Sequence, residues 1–188
     1  MNQAPLNKNR NDKFILVLTL PDALKKINDK ITRDSNKVNA DSLEMSVFGT
    51  LTPSIDIPSV TLPYGAQSIK VSSHVREAPS NFSFNFKIDN EYKNYWVIYK
   101  WLDLMNDVKT GHFNSDDIIN IKNHAYLKAY ASTITVYGLD EYENRKIRFD
   151  YIGAFPTSLS EISWNYTDET EIVSSSSFSF TKMEVELL

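Results

Sequence analysis

Residues 151–171 read YIGAFPTSLSEISWNYTDETE and join two strand-like segments late in the 188-residue chain. An apolar strand is interrupted by Gly-Ala-Phe-Pro, continues as a short stretch with Leu159 and Ile162, and ends in an acidic turn. Glycine permits backbone conformations that other residues avoid, and proline cannot donate to a sheet ladder. The glycine and the proline therefore predict a turn at this point of the chain.

Alternating strands flank this turn on both sides. The segments ASTITVYGL and RKIRFDYIGAF, separated by the acidic DEYEN, predict a β-hairpin. One face of the second strand carries Ile147, Phe149, Tyr151 and Phe155. The last strand, Ser176 to Leu187, begins with Phe178 and Phe180 inward and then changes phase to Met183, Val185 and Leu187. A slip of one residue in a period of two predicts a β-bulge near Thr181–Lys182.

The first third of the chain predicts an arm, a strand and a short helix. Met1–Asp12 is polar and is expected to be a flexible arm, before a single domain over residues 13–188. The apolar run Phe14–Leu20 predicts a strand buried on both faces. Pro21 opens an amphipathic segment in which Leu24, Ile27 and Ile31 recur at helical spacing. Thr32–Ser42 is polar and predicts a loop.

The middle of the chain predicts a half-buried strand followed by the main helix. In NFSFNFKI, one face carries Phe82, Phe84, Phe86 and Ile88, and the other face is polar. The helix is expected from Glu91 to Asn106, capped by Asp89 or Asn90. Its predicted packing face carries Tyr92, Tyr95, Trp96, Tyr99, Leu102 and Met105, widened by Ile98 and Trp101.

A proline-punctuated segment between the first strands is the candidate interaction site. Pro53, Pro58 and Pro63 prevent full integration of this segment into a sheet, so it is expected at an edge or in a long excursion. We predict a contact with a neighbouring subunit through Leu51, Ile55, Ile57, Pro58, Val60, Leu62 and Tyr64. The alternative is a surface loop that folds back on a monomer.

Composition argues against several other functions. The chain has 20 Lys and Arg against 24 Asp and Glu, a net charge of −4, which disfavours tight DNA binding. It has no cysteine, and its five glycines form no phosphate-binding loop. None of the three histidines is paired at metal-ligand spacing, and the acidic clusters Asp140–Glu143 and Asp168–Glu171 lack a calcium-loop pattern. We therefore expect no enzyme, no cofactor, no metal and no membrane span, in a soluble protein made in the cytoplasm.

The order of these elements resembles the tail tube proteins of contractile-tailed bacteriophages and, more distantly, the haemolysin-coregulated tube protein of type VI secretion. The resemblance covers about residues 44–187, including a helix that ends in WLDLMND like the family's single packing helix. The family's C-terminal pattern matches Tyr151, Gly153, Phe155, Pro156, Leu159, Ile162, Trp164, Asp168 and Phe178. The resemblance implies that the Gly-Ala-Phe-Pro break lets the chain turn between two sheets, with Phe155 and Trp164 filling the bend.

The resemblance implies a mainly β fold, an antiparallel β-sandwich or small barrel with one main packing helix. It also implies a structural virion protein in the tail, made in the host cytoplasm. Copies are expected to form hexameric rings that stack into a tube, alongside other tail or baseplate proteins. DNA would pass in transit without specific binding, because acidic and polar walls repel phosphate. The alternative function is a non-catalytic β-sandwich that binds a ligand or glycan through exposed aromatic side chains.

Overall fold

A computed structural model describes residues 10–29, 42–44, 46–77, 81–106, 130–167 and 170–188. Most of the predicted N-terminal arm, Ile31 and the connection from Asp107 to Lys128 lie outside the described residues. The elements in chain order are β1 (Phe14–Thr19), α1 (Asp22–Asp29), β2 (Ser42–Glu44), β3 (Val47–Leu51), β4 (Ser59–Tyr64), β5 (Gln67–Ser72), β6 (Phe82–Lys87), α2 (Lys93–Met105), β7 (Ser132–Leu139), β8 (Arg145–Leu159), β9 (Val173–Ser179) and β10 (Lys182–Leu187).

Two antiparallel sheets share the 15-residue strand β8. Its first half pairs with β7 on one edge and with β10 on the other, which gives a first sheet in the order β2-β1-β7-β8-β10. Its second half pairs with β9, which gives a second sheet in the order β8-β9-β6-β3. The expected antiparallel fold and the β7–β8 hairpin are confirmed.

The passage of β8 from one sheet to the other occurs at Gly153. Ile152 pairs with Thr133 and Ala154 with Ser132, so Gly153 is an extra residue opposite no partner. Its φ of +70° lies in the left-handed region, where glycine is favoured. The turn predicted for this stretch is thus a β-bulge inside a continuous strand.

The bulge corrects two predictions about side chains in this stretch. Tyr151 and Ala154 are both buried, so the inward-facing positions slip by one residue at Gly153. Phe155 therefore leaves the face of Tyr151 and stacks edge-on against Tyr130, with ring centroids 5.5 Å apart. The prediction for Trp164 was also wrong, because this side chain is 70% exposed and fills no bend.

Aromatic side chains from both sheets form the core. Phe82 of β6 stacks on Tyr151 of β8 at a centroid distance of 4.4 Å, and Phe84 stacks on Phe178 of β9 at 5.5 Å. Phe82, Phe84 and Phe86 are at most 1% exposed, which confirms the predicted inward face of β6. Stacked and edge-on aromatic pairs each add about 0.5–1.5 kcal/mol beyond the burial of their area.

The predicted packing face of helix α2 is confirmed in part: Ile98 and Trp101 are buried and Tyr95 and Trp96 pack against the core, but the centre of the buried face is rotated away from the tyrosine-rich stripe. The buried side chains are Asn94, Val97, Ile98, Trp101 and Leu104. Tyr92 and Tyr99 are 40% and 42% exposed, so the tyrosine-rich stripe borders solvent. The predicted capping by Asp89 is confirmed, since its carboxylate accepts hydrogen bonds from the backbone N–H groups of Lys93 and Asn94 at 2.8 and 3.2 Å.

The first and last strands also differ from the predictions. In β1, Leu16 and Leu18 are buried while Ile15 and Val17 are only half-buried, so one face is fully covered. Of the predicted loop Thr32–Ser42, all but Ser42 lies outside the described residues, and Ser42 is the first residue of β2. The final segment is two strands, β9 and β10, that separate at Phe180–Thr181, where a bulge was expected. Val185 and Leu187 of β10 are 50% and 80% exposed despite their alternating pattern.

The bulge residue provides a test of this architecture. A Cβ atom at Gly153 would lie 2.7 Å from the Thr181 hydroxyl oxygen, in addition to the cost of a positive φ. We expect Gly153→Ala to lower the free energy of unfolding by about 2–4 kcal/mol, measured by urea denaturation.

Gly65→Ala is the matched control for this substitution. Gly65 also has a positive φ, +60°, but a Cβ atom added there would meet no other atom within 4 Å. This variant should therefore lose only about 1 kcal/mol, the cost of the backbone conformation alone. Equal losses in both variants would contradict the close packing of Gly153 on Thr181.

Candidate subunit interface

Strands β4 and β5 form a two-stranded sheet of their own, residues 59–72, which we call the ribbon. Gly65, with φ +60°, lies in the turn that joins the two strands. The register pairs Val60 with Val71 and Leu62 with Ile69. Every ribbon residue is exposed except Val71, which is half-buried, so the ribbon projects from the two main sheets.

The ribbon has one apolar face and one polar face. Cross-strand partners share a face and side chains alternate along each strand. The apolar face carries Val60, Leu62, Tyr64, Ile69 and Val71, with Gln67 opposite Tyr64 beside the turn, and the polar face carries Ser59, Thr61, Pro63, Ser68, Lys70 and Ser72. Leu62, Ile69 and Tyr64 are 44%, 42% and 71% exposed. A contiguous exposed apolar face of this kind is typical of an interaction surface.

A paired stalk, residues 52–58 and 73–77, carries the ribbon. The Ser73 N–H donates to the Pro58 carbonyl at 2.9 Å, and the Glu77 N–H donates to the Asp56 carbonyl at 3.2 Å. Pro53 is buried at the start of the stalk. Ile55, Arg76 and Glu77 border a small cavity of about 90 Å³ against Thr181–Met183. The stalk is thus anchored beside the start of β10.

The predicted interface residues fall into three places. Val60, Leu62 and Tyr64 lie together on the apolar face of the ribbon. Ile55, Ile57 and Pro58 are exposed on the stalk. Leu51 is the last residue of β3, and its side chain is outside the described part of the chain. The sequence analysis missed Ile69 and Val71 on the return strand, although their alternation in QSIKVS was a usable signal.

A cavity of about 540 Å³, which we call the cleft, lies between β3 and the inner face of the first sheet. It is lined by Arg10, Asn11, Lys13, Phe14, Phe48, Gly49, Thr50, Thr52, Val136, Gly138, Ile147 and Phe149. Phe48 is 52% exposed at its mouth. A Cβ atom at Gly138 would lie 2.6 Å from the Ile147 side chain, so glycine leaves room for Ile147 at the floor.

The charged groups at the rim of the cleft are already paired. The Arg10 guanidinium donates to both carboxylate oxygens of Asp12, at 3.0 and 2.9 Å, and Lys13 pairs with Glu143 at 3.2 Å. The hydrogen bond from Arg10 lowers the pKa of Asp12 below its usual value. The floor of the cleft is therefore apolar, and the positive charges at its rim are neutralised by ion pairs.

Neither the ribbon nor the cleft holds groups arranged for catalysis. No group of three or more His, Asp or Glu residues with metal-binding geometry occurs in the described part of the chain. Among the same residues, neither helix is long and apolar enough to cross a bilayer. The ribbon exposes an apolar face on a projection from the β-sandwich.

A model of the phage tail tube protein family matches residues 9–185 of the chain, so the chain belongs to this family. It is a structural protein of the tail-tube type and part of a tail particle. No curated protein matches the sequence significantly.

Solved structures with the same fold come from contractile injection systems. One is a chain of the tube-terminating cap of the anti-feeding prophage, with TM-score 0.62 and 14% identity, covering 100% of this chain and 97% of that chain. Another belongs to the sheath–tube complex of the PVC extracellular contractile injection system in the extended state, with TM-score 0.60, 11% identity and coverage of 98% and 95%. A third belongs to the six-fold symmetrised anti-feeding prophage baseplate, with TM-score 0.58, 9% identity and coverage of 97% and 96%.

The exposure of the ribbon predicts that it adds little to the stability of a single subunit. Leu62→Asp should change the free energy of unfolding by less than about 0.5 kcal/mol, because Leu62 lies on an exposed projection. Phe84→Ala, at a side chain that is 1% exposed, should lose about 3–5 kcal/mol. Urea denaturation at low protein concentration checks both values, and a large loss for Leu62→Asp would mean that the ribbon folds back on its own subunit.

Proposed function

We propose that copies of this chain assemble into hexameric rings that stack into a tube, and that the ribbon and stalk form the contact between subunits. The observation that carries this proposal is the apolar face of the ribbon, exposed on a projection outside the hydrophobic core. Burial of this face against a neighbour removes apolar surface from water, at roughly 25 cal/mol per Å².

The geometry of the ribbon suits a head-to-tail contact. A ring closes when the same donor surface of each subunit contacts a different acceptor surface of the next one. The outer edges of β4 and β5 and the residues Ile55 and Ile57 add unpaired backbone groups and further apolar area to the donor surface. The six-fold symmetry of the baseplate that contains a similar chain supports a hexamer.

The proposed tube conducts DNA or protein cargo without holding it. The net charge of −4 disfavours binding to phosphate, so nucleic acid passes in transit only. The tube contacts other tail or baseplate proteins, since similar chains occur in a cap, a sheath–tube complex and a baseplate. The protein is made in the host cytoplasm and has a structural role, with neither catalysis nor membrane insertion.

A second function, glycan or ligand binding, is favoured by one observation. Trp164 and Tyr166 are fully or largely exposed in the segment between β8 and β9, where aromatic rings are able to stack on sugars. Family membership favours the structural role. A change in tryptophan fluorescence on titration with glycans, abolished in Trp164→Ala, would support the second function instead.

Introducing negative charge on the apolar face of the ribbon and on the stalk tests the proposed assembly. We expect the wild type to form rings visible by negative-stain microscopy and a high-mass species by analytical ultracentrifugation. The double variant Ile57→Asp/Leu62→Asp should raise the apparent dissociation constant at least about 100-fold, because two carboxylates would be buried without partners.

Thr61→Asp is the matched control for this assembly test. It adds one carboxylate to the polar face of β4, beside Lys70, and should assemble like the wild type, whereas Leu62→Asp alone, with the same added charge on the apolar face, should weaken assembly. If the wild type remains monomeric at high concentration and shows no rings, the tube proposal is wrong.

A further inference from the structure

The inner face of the first sheet has an uncovered edge at β10. Val185 pairs with Phe149 and Leu187 pairs with Ile147 across the ladder to β8. Because paired residues share a face, Val185 and Leu187 lie on the same side of the sheet as buried Tyr151. That side faces the second sheet elsewhere in the sandwich, yet here the two side chains are 50% and 80% exposed.

This exposed edge is continuous with the cleft. Ile147 and Phe149, the ladder partners of Leu187 and Val185, form part of the cleft floor. The opposite wall is Phe48 and Thr50 of β3, the strand at which the second sheet ends. We call the cleft together with Val185 and Leu187 the seam. Along the seam, no described part of the second sheet covers the inner face of the first sheet.

The ribbon matches the seam in size and chemistry. Strands β4, β5 and β10 are each six residues long, about 20 Å, and two packed sheets lie about 10 Å apart. Lys70 is the one charged residue of the ribbon and lies on its polar face, and the rim charges Arg10 and Lys13 are paired with Asp12 and Glu143. Contact between the two surfaces therefore buries no unpaired charge.

The ribbon does not cover the seam of its own subunit. Two backbone hydrogen bonds, Ser73–Pro58 and Glu77–Asp56, join the two chains of the stalk that carries the ribbon. The ribbon's apolar face and the seam are both exposed in the isolated subunit, so they do not cover each other there. A heterologous ring requires two different complementary surfaces on every subunit, and the ribbon and the seam are such a pair.

We propose that the ribbon of one subunit packs its apolar face on the seam of the next copy and completes that copy's β-sandwich. The inference rests on the proposed assembly and names its acceptor surface. Leu62 and Ile69 then lie against Leu187 and Val185 of the neighbour, and Phe48 becomes buried at the contact.

Disulfide trapping tests this contact directly, since the chain contains no cysteine. The double variant Leu62→Cys/Leu187→Cys places one thiol on the apolar face of the ribbon and one on the seam, both at exposed positions. A disulfide requires Cα atoms within about 7 Å, so oxidation reports close contact. We expect oxidation of the assembled protein to give a ladder of covalent oligomers up to the ring on a non-reducing gel.

Two matched controls place the thiol on the opposite face of one element. Thr61→Cys/Leu187→Cys moves it to the polar face of the ribbon, and Leu62→Cys/Glu184→Cys moves it to the outer face of β10. Both should give at least about tenfold less covalent oligomer, because side chains on opposite faces of a sheet cannot meet one partner. Equal trapping in the controls overturns the inference.

The remaining outcomes separate this inference from the proposed assembly. Rings seen by negative stain without a covalent ladder overturn the seam as acceptor and leave the assembly intact. A faster-migrating oxidised monomer means that the ribbon covers its own seam, which also overturns the inference. A protein that stays monomeric at high concentration, with no ladder, overturns both proposals.

Discussion

The left-handed conformation of Gly153 is the constraint on which both sheets depend. The extra residue it adds to β8 lets one strand pair with β7 and β10 along its first half and with β9 along its second. The same slip keeps both Tyr151 and Ala154 inside. Phe82 of the second sheet then stacks on Tyr151 of the first, so the aromatic core joins the two sheets at the point where the shared strand changes phase.

Periodicity in the sequence was sufficient to predict the inward-facing residues of an element when one of its faces is covered along its whole length. The alternation of Phe82, Phe84 and Phe86 predicted the inward face of β6 correctly, and the acidic loop predicted the β7–β8 hairpin. Periodicity was only partly correct on α2: it included the buried Ile98 and Trp101 but centred the packing face on the tyrosines. Tyrosine places its ring over apolar neighbours while its hydroxyl stays in water, so Tyr92 and Tyr99 did not identify the packed side.

Sequence patterns also predict which residues share a face without predicting what covers it. Val185 and Leu187 alternate like core residues, but their strand lies at a sheet edge beyond the reach of the second sheet. The prolines did indicate the projecting segment, because each removes a donor from a ladder. The seam depends on the register between Leu187 and Ile147, far apart in the chain, and no local pattern encodes it.

The distance along the chain between the ribbon and β10 has a consequence for synthesis in the cell. The ribosome releases the ribbon roughly 100 residues before β10, a delay on the order of 10 s at ordinary elongation rates. A nascent chain can therefore display its apolar ribbon while its own seam does not yet exist. Polysomes would carry many such half-finished chains side by side. In the proposed assembly, this order of translation favours capture of a nascent ribbon by finished subunits, or by a chaperone that shields it until β10 has paired with β8.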